Sequence, residues 1–390
     1  MSAFEAFLST PAMLAAFDAP AIVQAMLDFE AALARAEAEE GVIPAAAAAT
    51  IAAQCDAERF DVPALVQAAG RAGSLAIPLV GELRRQVAAV DAGAARWVHW
   101  GSTSQDVIDT AMALATRRAL ALVQADLARL TAALLALAER EADTPMLART
   151  LMQPASATTL GFKIAGWVAP LVRARERLAR AADEALQLQF GGAVGTLAVL
   201  GERGPAVATR LAGLLDLRAP VTAWHTQRDA WVALGCEAAL LVGSLGKIAR
   251  DIALMSQGEV GELSEPSEPG RGGSTAMPHK RNPVAGMVAL AAAQRTPQRA
   301  AALLAAMVQE HERGLGNWQA ELAEWAGLWI SAGGAVAALA DAAPGLVVDR
   351  QRMRAHLDAH QADFDTDAAL RAARERTAAW LQALRQQATR

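Results

Sequence analysis

From Ser104 to Ala142 the chain contains no glycine or proline, and its apolar residues return every three or four positions: Val107, Ala111 and Leu114, then Leu120, Val123, Leu127 and Leu130. That period belongs to an α-helix. At 1.5 Å per residue such a segment is a rod of roughly 57 Å. Thr103 or Ser104 is its natural N-cap. Four more long segments show the same pattern: from after Pro154 to Gln189, from about Val221 to Gln257, from Pro283 to Arg313 with a kink expected at Pro297, and from Trp318 to Ala342. Helices this long without internal stops imply a bundle. Several carry apolar residues on more than one face, so they need neighbours all round, between subunits as well as within one.

Alanine dominates the composition, tyrosine is absent and aromatic residues make up 4%, which suits close helix-on-helix packing. A hydrophobic share of 54% against 20% charged excludes a disordered chain. The formal net charge is −5, with no long run of like charge, so nucleic acid is not an expected partner. Cys55 and Cys236 are far apart and outside any CxxC spacing, as expected of reduced cytoplasmic thiols. The N-terminus lacks a basic segment followed by an apolar one, so no signal peptide is expected. The charge-free stretch 326–340 is too short and too interrupted to be read as a membrane span.

The chemistry concentrates on the Gly- and Pro-rich loop 258–283, above all Gly270 to Asn282. Gly270, Gly272 and Gly273 let backbone N–H groups approach an anion. Ser274 and Thr275 bring hydroxyls, His279, Lys280 and Arg281 bring donors or charge, and Asn282 brings an amide. A helix N-terminus follows. This set suits proton transfer at a carbon beside a carboxylate, where the intermediate is a dianion that fixed donors stabilise. Ser274 is the acid/base candidate, its alkoxide stabilised by the surrounding donors. The expected ligand is a small polycarboxylate.

GSTAMPHKRN, from Gly273 to Asn282, resembles the signature of the fumarase/aspartase superfamily. HWGSTSQDVIDTA and ARTLMQPASATTLGFKIAGW resemble its first and second conserved regions, in the expected order. With RAGSLAIPLV, FGGAVGTLA and WHTQRD, the likeness is closest to the carboxymuconate cycloisomerase branch. The resemblance implies an all-α fold: a central long-helix bundle at 101–345, a small helical N-terminal domain at 1–100 and a shortened C-terminal appendage at 346–390. It implies a homotetramer in which each active site draws its three regions from three chains. It implies no metal or organic cofactor.

By the same resemblance Ser274 is the catalytic serine, and Lys280 and Asn282 hold a substrate carboxylate. Thr103 and Ser104 hold another. Gln153, Gln227 and Arg228 bind substrate, as do Thr275 and Met277 of the loop. His225 is a candidate general acid, with a hydrogen-bonded structural role as the alternative. The implied reaction closes 3-carboxy-cis,cis-muconate to a lactone, in the protocatechuate branch of the β-ketoadipate pathway. A fumarate-releasing lyase and a non-catalytic relative are the alternatives. Leu151 stands where most lyases of the superfamily have histidine, which favours a cycloisomerase, because carboxylate addition to an alkene has no leaving group to protonate. His356 and His360 share a helical face; a solvated face is the expectation there, a metal pair the rival. His99 is expected to order the loop around Trp97 and Trp100.

Overall fold

The computed structural model describes residues 3–388 apart from Pro269, Thr275 and Pro278. Six helices come first: α1 (Ala3–Ala6), α2 (Pro11–Ala16), α3 (Ala19–Glu39), α4 (Ala45–Ala52), α5 (Val62–Ala72) and α6 (Ala76–Val90). The long α7 (Ser104–Arg140) leads into a hairpin of β1 (Pro145–Thr150) and β2 (Gln153–Thr159). Then come α8 (Leu160–Ala185), α9 (Gly204–Leu214), α10 (Asp229–Met255), the two-residue β3 (Leu263–Ser264), α11 (Val284–Ala306) and α12 (Asn317–Ala342). The chain ends with β4 (Val347–Val348), α13 (Arg350–Asp358) and α14 (Thr366–Ala388).

The bundle is α7, α8, α10, α11 and α12. α10 packs on α8, α11 and α12, while α7 packs on α8 and α12. Indole stacking pins three of these rods together. The rings of Trp231 on α10 and Trp325 on α12 stack at 3.9 Å between centroids, and Trp325 Nε1 donates to Thr116 Oγ1 of α7 at 2.8 Å. Gly161, in the first turn of α8, lets that helix touch the end of α7. A Cβ there would lie 2.5 Å from the Ala138 carbonyl oxygen. One hydrophobic core runs from Met13 through the bundle to Leu384, so the N-terminal helices share it. A satellite cluster of Leu147, Ala157, Leu357 and Leu370 seats α13 and α14 on the hairpin.

Four boundaries differ from the sequence reading, one of them the end of α11 at Ala306 instead of Arg313. Residues 145–159 form an antiparallel hairpin instead of a loop and the start of a helix. Pro154 pairs opposite Arg149 at the register shift, and α8 begins only at Leu160, capped by Thr159 Oγ1. α8 also stops short of Gln189, because Leu188 N–H turns to the Arg218 carbonyl at 2.9 Å. α10 starts at Asp229, not near Val221, leaving the segment before it irregular. By length and composition alone α7, α10 and α12 are apolar enough to cross a membrane, although the 326–340 stretch of α12 was read as too short. All three pack within the bundle.

Candidate active site

The wall of the first region is built around two buried aspartates in the opening turns of α7. Asp106 is 0% exposed. It accepts from the N–H groups of Thr103 (3.1 Å), Gly191 (3.0 Å) and Gly192 (2.9 Å), and His225 Nε2 lies 2.7 Å from its Oδ1. One carboxylate thus ties the TSQD turn, the FGG turn and the segment before α10 together. Thr103 holds the extended backbone of an N-cap, and its hydroxyl accepts from Arg313 Nη1 at 3.1 Å. Burial holds the Arg313 guanidinium below its ordinary value, against the pull of Asp106 and Asp109.

His225 is buried, with Asp106 on one side and a cavity of about 600 Å³ on the other. Thr226, Gln227 and His311 also line that cavity, and among the described residues none of the hairpin or of the loop 258–283 does. The second ring nitrogen of His225 has no hydrogen-bond partner among the described residues. A buried Asp–His pair facing a cavity is a competent proton-handling unit.

Arg228 is 2% exposed. Its guanidinium donates to Asp109 (Nη1, 2.8 Å) and to both oxygens of Glu321, and lies 4.4 Å over the Trp224 ring. Burial works against its charge, but the two carboxylates hold its pKa above the ordinary value. Burial lifts Glu321 above the usual carboxylate range, and Arg228 pulls it partly back. Asp109 also accepts from Gln105 (3.1 Å) and Trp318 Nε1 (2.9 Å). The sequence reading put Arg228 against substrate. The fold encloses it with two carboxylates and an indole, so it braces the wall that presents its neighbour, the exposed Gln227.

The second region is the hairpin. Gln153 is exposed and pairs with Thr150 to close the turn. At the tip Leu151 and Met152 are 97% and 68% exposed, and both hold positive φ, 50° and 67°. Two non-glycine residues in that conformation cost about 1–2 kcal/mol each. Strain of this kind gathers at functional sites. The position at which the resemblance places a lyase's histidine, Leu151, is the tip of an exposed turn.

The third region is the loop. The backbone N–H of Asn282 donates to the Gly272 carbonyl at 2.8 Å, and a Cβ on Gly272 would meet Asn282 O at 2.4 Å, so only glycine fits. Ser274 is half-buried, and its Oγ accepts from the Met277 N–H at 3.1 Å. Lys280 and Met277 are exposed, and Asn282 is half-buried. Glu265 accepts from the N–H groups of Ala285 (2.9 Å) and Gly286 (2.7 Å), which fixes the first turn of α11 behind the loop. Thr275 lies outside the described residues.

A family model described as Lyase matches residues 6–298. The chain belongs to the fumarase/aspartase superfamily. It is 53% identical over 352 residues to a 3-carboxy-cis,cis-muconate cycloisomerase of Bradyrhizobium diazoefficiens, covering 90% of this chain and 78% of the relative. It is 43% identical to a nitrosuccinate lyase of Streptomyces davaonensis, covering 90% and 75%. In structure it is similar to the 3-carboxy-cis,cis-muconate lactonizing enzyme of Pseudomonas putida, with a TM-score of 0.87 and 43% identity over 98% of this chain and 89% of that one. The chain is an enzyme.

Within this superfamily member Thr103 and His225 meet at Asp106, and Gln227 lines the same cavity as His225, whereas Gln153, Ser274, Lys280 and Asn282 do not line that cavity. The sequence reading missed Asp106, Arg313 and Glu265. Asp106 had a signal, three residues past the Thr103 cap where a carboxylate closes a capping box. Arg313 had none, because its approach to Thr103 spans 210 positions of sequence. His356 and His360 turn to different carboxylates, Glu262 (2.7 Å) and Asp363 (3.1 Å), so His356 does not sit on a solvated face. His99 lies 2.5 Å from the buried Glu30 beneath the Trp97–Trp100 loop.

Proposed function

We propose that the chain is a cycloisomerase acting on 3-carboxy-cis,cis-muconate, with Ser274 as the group that gives a proton to carbon. One substrate carboxylate adds to the neighbouring double bond. The C–O bond of the lactone forms, the π bond breaks, and the electron pair passes into an adjacent carboxylate. Lys280, Asn282 and loop N–H groups hold that dianion. Ser274 protonates the carbon and regains its proton from solvent, so the trianion becomes a lactone dianion with uptake of one proton. Thr103, Ser104, Gln153 and Gln227 hold the other carboxylates, with Thr275 and Met277 completing the loop side. His225, backed by Asp106, is the second proton-handling group. The carrying observation is the donor set of the loop: Ser274 Oγ already accepts an N–H at 3.1 Å, with Lys280 and Asn282 within eight residues of it.

The three groups serve one site by coming from different chains of a homotetramer. The separation of the His225 cavity from Gln153 and Ser274 within one subunit supports this, as do the exposed Leu151 and Met152 and the apolar Leu240, Met287 and Leu304 on exposed faces of α10 and α11. We place the enzyme in the cytoplasm, in the protocatechuate branch of the β-ketoadipate pathway; Cys55 and Cys236, both free, suit that compartment. Purified protein mixed with the muconate is expected to bleach the diene absorbance and take up one proton per turnover. Constant absorbance from intact oligomer would reject the proposal.

The likeness to a nitrosuccinate lyase supports a second reading, β-elimination from a substituted succinate. Leu151 at the hairpin tip speaks against expulsion of a basic group such as an amine, which needs an acid, but not against expulsion of a weakly basic anion. Release of fumarate from a substituted succinate, with no turnover of the muconate, would favour the lyase.

A further inference from the structure

The hairpin and the catalytic loop of one chain meet at a single buried carboxylate. Glu262, 0% exposed, stands directly before β3 at the root of the loop. Its oxygens accept from Arg149 Nη2 (2.7 Å) and Nη1 (3.0 Å), a two-pronged pair with β1 four residues before Gln153. His356 Nδ1 of α13 lies 2.7 Å from its Oε1. The backbone is anchored too: Glu262 N–H donates to Met255 O (2.8 Å), its carbonyl accepts from Asp349 N–H (3.0 Å), and Leu263 pairs with Val348. From there Glu265 holds the first turn of α11, and Asn282 bonds back to Gly272. Short contacts joined by stretches of chain therefore link Gln153, Arg149, Glu262 and Glu265 to the turn that carries Ser274. Burial raises the Glu262 carboxyl, but Arg149 and His356 outweigh it and hold the group below the usual carboxylate range.

We propose that Glu262 is a positioning residue that couples the hairpin and the loop of one chain, and through them the two sites of the assembly to which Gln153 and Ser274 contribute. The proposal rests on the roles given above to Gln153 and Ser274. Glu262→Gln keeps the shape but cannot accept the two-pronged Arg149 pair, and Arg149→Gln breaks the same link from the hairpin side. Each is expected to lower kcat at least tenfold and raise KM at least threefold, well below the melting temperature of the variant. The double variant should be no more than twofold worse than the poorer single, because both remove one link. Arg149→Lys, which keeps the charge but loses the fork, should fall between. A lower Tm with kcat and KM unchanged, or single effects that multiply, would overturn the proposal. Amide exchange separates this from failure of the proposed chemistry. Arg149→Gln should speed exchange at residues 270–282 at least fivefold even if the muconate is not the substrate. Unchanged exchange there would overturn the coupling.

Discussion

Gln227 and Arg228 are neighbours in sequence with opposite surroundings: the amide is exposed, the guanidinium is sealed between Asp109 and Glu321. Arg228→Met is expected to lower the unfolding free energy by about 3–5 kcal/mol in urea denaturation, because two carboxylates stay buried without their cation. A change under about 1 kcal/mol would mean that water reaches Asp109 and Glu321 and screens them. Glu37 is a second buried ionisable group, with a measurable consequence. It is 0% exposed, both oxygens lack a hydrogen-bond partner among the described residues, and burial next to Glu30 pushes its carboxyl up to about 9. The folded chain then holds a proton that the unfolded chain releases near 4.5. The stability this gives is complete below pH 4.5 and is lost as pH rises toward 9, at up to about 1.4 kcal/mol per pH unit. In thermal melts from pH 5 to 9, Glu37→Gln should flatten that decline. Residue types and spacing pointed to Ser274, Lys280 and Asn282 because they crowd one loop. The enclosure of Arg228 depends on Glu321, 93 positions away, which local pattern does not carry.

The long rods were readable because a 3.6-residue period repeated over many turns outweighs local noise, and α7 starts at Ser104 where the Thr-Ser pair put it. The hairpin was not. Its strands are six and seven residues long, Pro154 resembles a helix start, and the turn depends on Leu151 and Met152 adopting a conformation that their side chains disfavour. The hairpin is placed by Gly161, which brings the start of α8 onto the end of α7. Gly161→Ala would force a methyl to within 2.9 Å of three backbone atoms of residues 138–142, and backbone yields only by separating the helices. The expected cost is about 1–3 kcal/mol in denaturant unfolding. KM should also rise, because the hairpin with Gln153 leads directly into α8. An unaltered unfolding midpoint would show that the α7–α8 contact is looser than the fold implies.

At the scale of the whole molecule, the cavity beside His225 is lined, among the described residues, by neither the hairpin nor the loop that carries Ser274. If sites are shared, two inactive variants damaged in different regions should restore each other. The Ser274→Ala and Gln153→Ala variants, unfolded together and refolded as a mixture, are expected to regain activity that neither shows alone. A mixture as inactive as its components would place a complete site within each subunit.

The central claim is that the Ser274 hydroxyl delivers a proton to substrate carbon. The direct measurement compares wild type and Ser274→Ala with 3-carboxy-cis,cis-muconate in D₂O, following diene absorbance and the mass of the lactone. Wild type should give lactone carrying one deuterium on carbon. Ser274→Ala should retain ligand binding and lose at least about a thousandfold in kcat, some 4 kcal/mol of barrier. Turnover by Ser274→Ala within tenfold of wild type would contradict the account.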